Sequence, residues 1–352
     1  MDKYKVIGIM SGTSLDGLDI AFCRFKLEKG KWSYKINCAK TVKYTSDFKK
    51  LLSRKTKVGS LKLLSADKQF GNFIAKEANK FIRKNKLKPD FISSHGHTIF
   101  HQPEKGLTFQ IGSGRVIADK TGFPVVCDFR TLDVALGGQG APLVPIGDKL
   151  LFSEYEACLN FGGFANISFE KNNKRIAFDI CPVNIVLNHF AKKLGKEYDK
   201  NGMLSSKGNL NTELLKNLNS LEFYSRKAPK SLGKEWVNQF FNPILNGNPK
   251  NILRTVCEHI STQVSETINT SLDNKKKKVL VTGGGAYNNF LIELIKEKSN
   301  AQIIIPDKNT IEFKEALIFG FLGVLRLRGE INTLCSVTGA SKDSSGGVIY
   351  QP

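Results

Sequence analysis

The sequence predicts an α/β fold of two related lobes with a cleft between them. Three observations predict it. The 352 residues are too many for one ordinary core and suit two of roughly 150 residues each. Apolar strand-like runs alternate with segments whose apolar residues recur at helical spacing. A strand, a turn of small residues and further strands open the chain at Lys5 and again at Ala157. The lobes are placed at 1–136 and 137–352, with the final helix free to pack back on the first.

Taken in order, Lys5 to Met10 (KVIGIM) is a short apolar run, and after SGTSLDG come LDIAFCRFKLE and WSYKINCAKTVKY. These read as a strand, a tight turn and two further strands of a meander. Leu51, Leu52, Leu61, Leu64, Phe70, Phe73, Ile74, Ala78, Phe81 and Ile82 fall at helical spacing, giving two helices of which the second is longer. FISSHGHTIFHQ returns to strand. Between Leu107 and Asp133, TFQIG, GRVIADKTG and PVVCDFR read as strand, helix and strand, the order of a parallel βα unit. GGQGAPLVPIGDKLLF (137–152) is a Gly/Pro-rich loop, a plausible hinge, leading into a short helix.

The second series runs ACLNFGGFANISFE, a turn, and RIAFDICPVNIVLNHFAKKLG, strand into helix. Helices follow at Asn211 to Asn219, Lys234 to Phe241 and Ile252 to Asn269. KKKKVLVTGGGAYNNFLIELIKEK reads as strand, glycine turn and helix, AQIIIPD as a strand, and EFKEALIFGFLGVLRLRG as an apolar-striped helix.

Composition narrows the function classes. Hydrophobic residues at 41% and charged residues at 24% are ordinary for a globular chain, so disorder and fibrous architectures are set aside. No apolar run approaches the ~20 residues of a membrane span, and MDKYKVIGIMSGTS has no apolar stretch of signal-peptide length. The expected location is the cytoplasm, with no membrane partner. Seven cysteines without CxxC spacing suggest neither a disulfide framework nor a zinc site. The net charge of +21 comes from scattered lysines that are not interleaved with aromatics. It reads as a solvated surface that mildly attracts anionic ligands, not as a nucleic-acid footprint.

Three turns of small residues follow apolar strands: Ser11 to Asp19, Asn160 to Asn166 and Thr282 to Ala286. In each, backbone N–H groups can approach a polyphosphate with no Cβ in the way. Singly each is an ordinary turn, and Gly17 with Asp16 reads as a tight hairpin. None has the spacing of a Walker or a dinucleotide-binding loop. Other polar groups stand where apolar strands end, the usual place for α/β ligands: His95, Gln110, Asp128 and Arg130. His95 with His97 also admits a zinc reading, although no third ligand falls at suitable spacing. Asp179, which ends the strand RIAFD before a Pro turn into a helix, is either a helix N-cap or a catalytic carboxylate. Glu315 reads as an exposed first-turn glutamate, with reach into the cleft as the alternative.

Three such turns in this order resemble the pattern of the actin-like ATPase (ribonuclease H-like) superfold, where two hairpins clasp phosphates and a third glycine turn borders the adenosine. Seven strings sharpen this to one family: IGIMSGTSLDGLDIA (7–21), SHGHTIFH (94–101), TFQIGSG (108–114), VVCDFRTLDVALGGQGAPLVP (125–145), LNFGGFANIS (159–168), LVTGGGAYN (280–288) and VTGA (337–340). They resemble the anhydro-N-acetylmuramic acid kinases along nearly the whole chain. The resemblance implies that ATP phosphorylates O6 of 1,6-anhydro-N-acetylmuramic acid while water opens the anhydro ring at C1, in the recycling of cell-wall sugars.

It further implies roles. Asp179 is the base that takes a proton from the water. Gly12, Thr13, Ser14, Leu15, Asp16, Gly17, Leu18 and Asp19 form the first phosphate hairpin, with Asp16 and Asp19 orienting Mg2+ through water. Gly162 and Gly163 form the second, and Gly283, Gly284 and Gly285 the adenosine turn. His95, Gln110, Asp128, Arg130 and Asn184 line the sugar site. The stretch DICPVN departs from the family's Asp-x-Gly-Pro-Gly-Asn by carrying Cys181 and Val183, which bears on substrate choice. Dimers are common in the family, so a homodimer is left open. The competing classes are another hexose or amino-sugar kinase, and an actin-like nucleotide switch with no catalytic role.

Overall fold

The computed structural model describes residues 2–12, 15–53, 59–272 and 277–352. Thr13 and Ser14, expected in the first phosphate hairpin, lie outside the described residues. The chain divides into two compact units, Met1–Leu151 with Phe313–Pro352, and Phe152–Glu312.

The first unit opens with β1 (Lys3–Ser11), β2 (Leu18–Glu28), β3 (Lys31–Val42), α1 (Ser46–Leu52) and α2 (Ser60–Lys84). It continues with β4 (Phe91–Gln102), β5 (Leu107–Ile111), α3 (Gly114–Thr121), β6 (Val125–Cys127), α4 (Thr131–Ala135) and α5 (Val144–Leu151). The second unit holds β7 (Ala157–Phe161), β8 (Phe164–Lys171), β9 (Lys174–Pro182), α6 (Asn184–Lys193), α7 (Thr212–Asn219) and α8 (Glu222–Ser225). It ends with α9 (Lys234–Trp236), α10 (Pro249–Ser271), β10 (Lys278–Thr282), α11 (Asn289–Lys298) and β11 (Gln302–Ile304). The chain then returns to the first unit along α12 (Lys308–Leu327), α13 (Cys335–Thr338) and β12 (Val348–Tyr350).

The two sheets share one plan. In the first, β1, β2 and β3 form an antiparallel meander, and β4 and then β6 join β1 in parallel. In the second, β7, β8 and β9 repeat the meander, and β10 and β11 join β7 in parallel. The same order twice over is the duplicated α/β plan of the actin-like superfold expected above. Parallel neighbours need helical crossovers and leave strand carboxyl ends together, so each sheet has one end where its turns converge.

Sequence explains why the sheets are covered. Val6, Ile7 and Ile9 of β1 are fully buried, as suits a central strand covered on both faces. One cover is α12, whose backbone lies directly on the sheet. A Cβ on Gly8 would come within 2.0 Å of the Ala316 carbonyl oxygen, and one on Gly323 within 2.6 Å of Ser93 Oγ. The Ser93 hydroxyl donates to the Phe319 carbonyl at 2.5 Å, fastening β4 to the same helix. The GFLG stretch of α12 is therefore a contact requirement as well as an apolar stripe.

Three readings change. TFQIG is β5, but it pairs antiparallel with β4, so the parallel unit runs from β4 through α3 to β6. A hairpin arm and a parallel strand are equally short and apolar, and only pairing separates them. The loop from Gly137 is not the point of division, which falls after Leu151. Gly138 N–H donates to the Asp133 carbonyl, Gln139 N–H to the Thr338 carbonyl and Gly140 N–H to Asp133 Oδ2, so the loop is pinned within the first unit. Finally, β12 pairs antiparallel with β6 near the chain's end, where no strand was expected.

Candidate active site

In the first unit the convergent end of the sheet collects the residues after β1, before β2, along β4 and after β6. The turn between β1 and β2 is closed by Leu15 N–H donating to the Gly12 carbonyl at 3.3 Å, with Leu15 at φ 60°. Asp16 is exposed on the turn and Asp19 half-buried at its base, where Thr41 Oγ1 donates to Asp19 Oδ1 at 2.5 Å. Gly17 is fixed by packing, since a Cβ would meet Thr41 Cγ2 at 2.6 Å and the Val42 carbonyl oxygen at 2.7 Å. Beneath the turn the Tyr44 hydroxyl donates to Ser11 Oγ (2.7 Å), and the Ser11 proton is left to bond His97 Nδ1 (2.8 Å). His97 also bonds the Leu52 main chain, and burial holds its pKa below the usual histidine value. It supports the turn from below as a neutral ring.

Arg130 follows β6 and is held at two points. Its Nε donates to His95 Nε2 at 2.9 Å and its Nη1 to the Gly140 carbonyl at 2.5 Å. His95 Nδ1 then donates to the Gly96 carbonyl at 3.0 Å, the tautomer that an accepting Nε2 requires. Burial first and the Arg130 charge second keep His95 far below the ordinary histidine range. His95 thus holds Arg130 with one ring nitrogen and the main chain of its neighbour Gly96 with the other. Both nitrogens of the His95 ring are occupied, so His95 offers no open metal-ligand position.

Behind this lies Asp133, which is 1% exposed and receives Gly140 N–H on Oδ2 (2.7 Å) and the Thr338 hydroxyl on Oδ1 (2.7 Å). Two strings far apart in sequence, GGQG and VTGA, are joined at this carboxylate. Burial lowers the Arg130 pKa to about 10, opposed by Glu315 and Asp133. Glu315, in the second turn of α12, is exposed yet hemmed by protein that pushes its carboxyl up, against Arg130 and Lys314. Gln110 donates to Thr108 Oγ1 (2.8 Å) on β5. Asp128, at φ 58°, accepts from the Thr131 hydroxyl (2.6 Å) at the start of α4.

In the second unit three turns meet at the carboxyl end of the sheet. Val183 N–H donates to the Gly163 carbonyl (2.8 Å) and Asn184 Nδ2 to the Phe161 carbonyl (3.0 Å), tying the turn after β9 to that after β7. Gly283, at φ 82°, brings the turn after β10 against Asn160 and Phe161, where a Cβ would be 2.6 Å from Asn160 Oδ1. Gly285 is likewise tight against Phe161. Gly162, Gly163 and Gly284 are different: a Cβ on any of them would have no neighbour nearer than 3.4 Å. Those three keep backbone open to an approaching ligand, while Gly283 and Gly285 shape the turn.

Asp179 stands on β9 beside these turns. The strand continues to Pro182, and the N-cap of α6 is Val183, with no side-chain cap hydrogen bond. The capping alternative for Asp179 is therefore removed. A β-bulge lies here: Ala165 faces Cys181 and Asn166 faces Asp179, leaving Ile180 extra, and bulges re-aim side chains beside functional sites. Leu232 N–H donates to Asp179 Oδ2 at 2.8 Å. Burial raises the carboxyl above its ordinary value, and the Leu232 bond opposes the rise. A half-buried carboxylate of raised proton affinity suits a general base. Cys181 and Val183 are both fully buried in the core cluster of the unit.

Asp133 and Thr338 are not among the residues that strand ends and small-residue turns single out. The signal available was an aspartate inside an otherwise apolar turn of helix (TLDVA), and a late threonine within a family-like string.

A family profile described as anhydro-N-acetylmuramic acid kinase matches residues 4–352. Proteins of that name are similar over full length: one of Mannheimia succiniciproducens, 33% identical over 99% of this chain and 100% of the relative; one of Aliivibrio fischeri, 35% identical over 99% of each; and one of Vibrio cholerae, 32% identical over 100% of this chain and 99% of the relative.

Proposed function

The chain belongs to the anhydro-N-acetylmuramic acid kinase family, and from that premise we propose that it transfers the γ-phosphoryl of ATP to O6 of 1,6-anhydro-N-acetylmuramic acid while water opens the ring at C1. The products are N-acetylmuramic acid 6-phosphate and ADP, formed in the cytoplasm during cell-wall sugar recycling. The observation that carries this reading is Asp179: a half-buried carboxylate of raised proton affinity, one oxygen fixed by Leu232, beside turns whose glycines leave backbone open. A kinase without ring opening has no need of a base for water.

Asp179 takes the proton from water as its oxygen attacks C1, and the C1–O6 bond breaks. O6 then bonds phosphorus as the bond to ADP breaks. Arg130, with fixed Nε and Nη1, presents its remaining Nη2 to an anionic oxygen, either the lactyl carboxylate or the moving phosphoryl. Backbone N–H groups of the β1–β2 turn and of Gly162 and Gly163 face phosphate oxygens, the turn at Gly283 to Gly285 borders the adenosine, and Gln110, Asp128 and Asn184 orient the sugar. Asp16, exposed, and Asp19, at the base of the same turn, fit the one or two carboxylates that Mg2+ takes beside phosphates and water. That ion would neutralise charge on the phosphates.

The test is Asp179→Asn, assayed by ADP release with Mg-ATP and the anhydro-sugar. Turnover is expected to fall by at least ~10³-fold with ATP affinity within about twofold of wild type. Turnover near the wild-type rate would remove Asp179 as the base.

A further inference from the structure

The segment 226–233, between α8 and α9, has no regular structure of its own, yet it supplies a hydrogen bond to the Asp179 carboxylate. It touches Asp179 twice, because Asp179 N–H donates to the Lys230 carbonyl at 3.0 Å and Leu232 N–H donates to Asp179 Oδ2 at 2.8 Å. Something must hold such a segment still. Lys230 Nζ donates to the Phe223 and Tyr224 carbonyls (3.2 and 3.4 Å) at the end of α8 and lies over the Phe223 ring at 4.7 Å. Helix α8 is anchored in turn. The Tyr224 hydroxyl lies 2.8 Å from His259 Nε2 on α10, and His259 Nδ1 lies 2.6 Å from Asn219 Oδ1 at the end of α7. His259 is fully buried.

We propose that Lys230 is a positioning residue for the proposed base: its ammonium clamps residues 230–232 to α8, and through the Leu232 N–H it fixes the orientation of the Asp179 carboxylate. This rests on Asp179 being the base. Lys230 acts on Asp179 through the main chain: its ammonium donates to the Phe223 and Tyr224 carbonyls, while its own carbonyl and the Leu232 N–H make the contacts with Asp179. The titratable groups around Asp179 are Cys181 on its own strand, Lys230 on the covering segment and, beyond Cys181, Tyr224 on α8; the residue facing it on β8 is the uncharged Asn166. Burial is the larger influence on Asp179 and the Leu232 bond the smaller. Loosening the segment therefore lowers the carboxyl toward its ordinary range, because water replaces cover faster than the lost bond raises it.

The experiment compares wild type, Lys230→Met and Lys230→Arg by amide exchange at Leu232, by 13C titration of Asp179 assigned against Asp179→Asn, and by the pH profile of kcat/KM. Lys230→Met is expected to speed Leu232 exchange at least ~10-fold and to move the Asp179 titration and the acid limb of the profile down together. Lys230→Arg, which can also donate to two carbonyls, restores both. A folded Lys230→Met, judged by circular dichroism, with unchanged Leu232 exchange and Asp179 titration overturns the clamp. If exchange and titration move while the kinetic limb stays, the clamp stands and the assignment of Asp179 as base falls.

Discussion

Thr338→Val removes a hydroxyl at the junction of the two strings GGQG and VTGA, whose shortest hydrogen bond is to Asp133 and whose longer ones are to the Leu334 carbonyl (3.3 Å) and from the Ala340 N–H (3.4 Å). The hydroxyl removed is 1% exposed and donates at 2.7 Å to Asp133 Oδ1, itself 1% exposed, and valine has nearly the same shape. Hydrogen bonds to charged groups contribute about 1.5–3 kcal/mol, and the change leaves a buried carboxylate oxygen short of a donor. For a unit of this size each kcal/mol moves the melting temperature by roughly 2–4 °C, so calorimetry should show a fall of about 3–12 °C. Function should follow along the chain of bonds, since Asp133 Oδ2 holds Gly140 N–H and the Gly140 carbonyl holds Arg130. The sugar KM should rise several-fold, with the ATP KM unchanged. A double-mutant cycle with Asp133→Asn should show coupling above about 0.5 kcal/mol. Stability within about 0.5 kcal/mol of wild type, or strict additivity, would refute the junction as described.

Two further outcomes follow from burial. Val183→Gly restores the residue that the family resemblance expects, but Val183 is 0% exposed in the core, so it should cost about 2–4 kcal/mol in chemical denaturation while the preference among sugars stays the same; a changed preference would return Val183 to the sugar site. His259 is 0% exposed with its pKa lowered to about 3, so the unfolded chain binds its proton first as pH falls below about 6.5. Its contribution to stability is complete above that pH and is lost at roughly 1.4 kcal/mol per unit below it, down to the folded pKa. The pH dependence of unfolding between 7 and 5 should therefore flatten in a folded His259→Gln.

Periodicity and turn chemistry carried most of the fold into view. Both meanders, the long α2 and α10 and the glycine turns stand where apolar spacing and small residues put them. What escaped depends on pairing between distant segments. β5 is as short and apolar as a parallel strand and differs only in its antiparallel partner, and the three residues of β12 become a strand only by lying against β6. The loop from Gly137 has the composition of a hinge, yet one buried aspartate and a threonine some 200 residues later hold it fast. At the site, strand ends pointed to His95, Arg130 and Asp179, and position alone left Asp179 divided between capping and chemistry. The strand's continuation to Pro182 and the Leu232 bond decide against the cap. Its strand-end position singles out His95, but its hydrogen bond to Arg130 belongs to the tertiary fold. Glu315 shows the same limit: helical spacing locates it on α12, but its nearness to Arg130 belongs to the tertiary fold.

The measurement that bears most directly on the account is the mass of the product formed from 1,6-anhydro-N-acetylmuramic acid and Mg-ATP in H2 18O. The account predicts a sugar heavier than the substrate by one phosphoryl group and one water, with the 18O at C1 and none in the phosphate. A phosphorylated sugar that retains the anhydro ring, or 18O in the phosphate in place of C1, would contradict it.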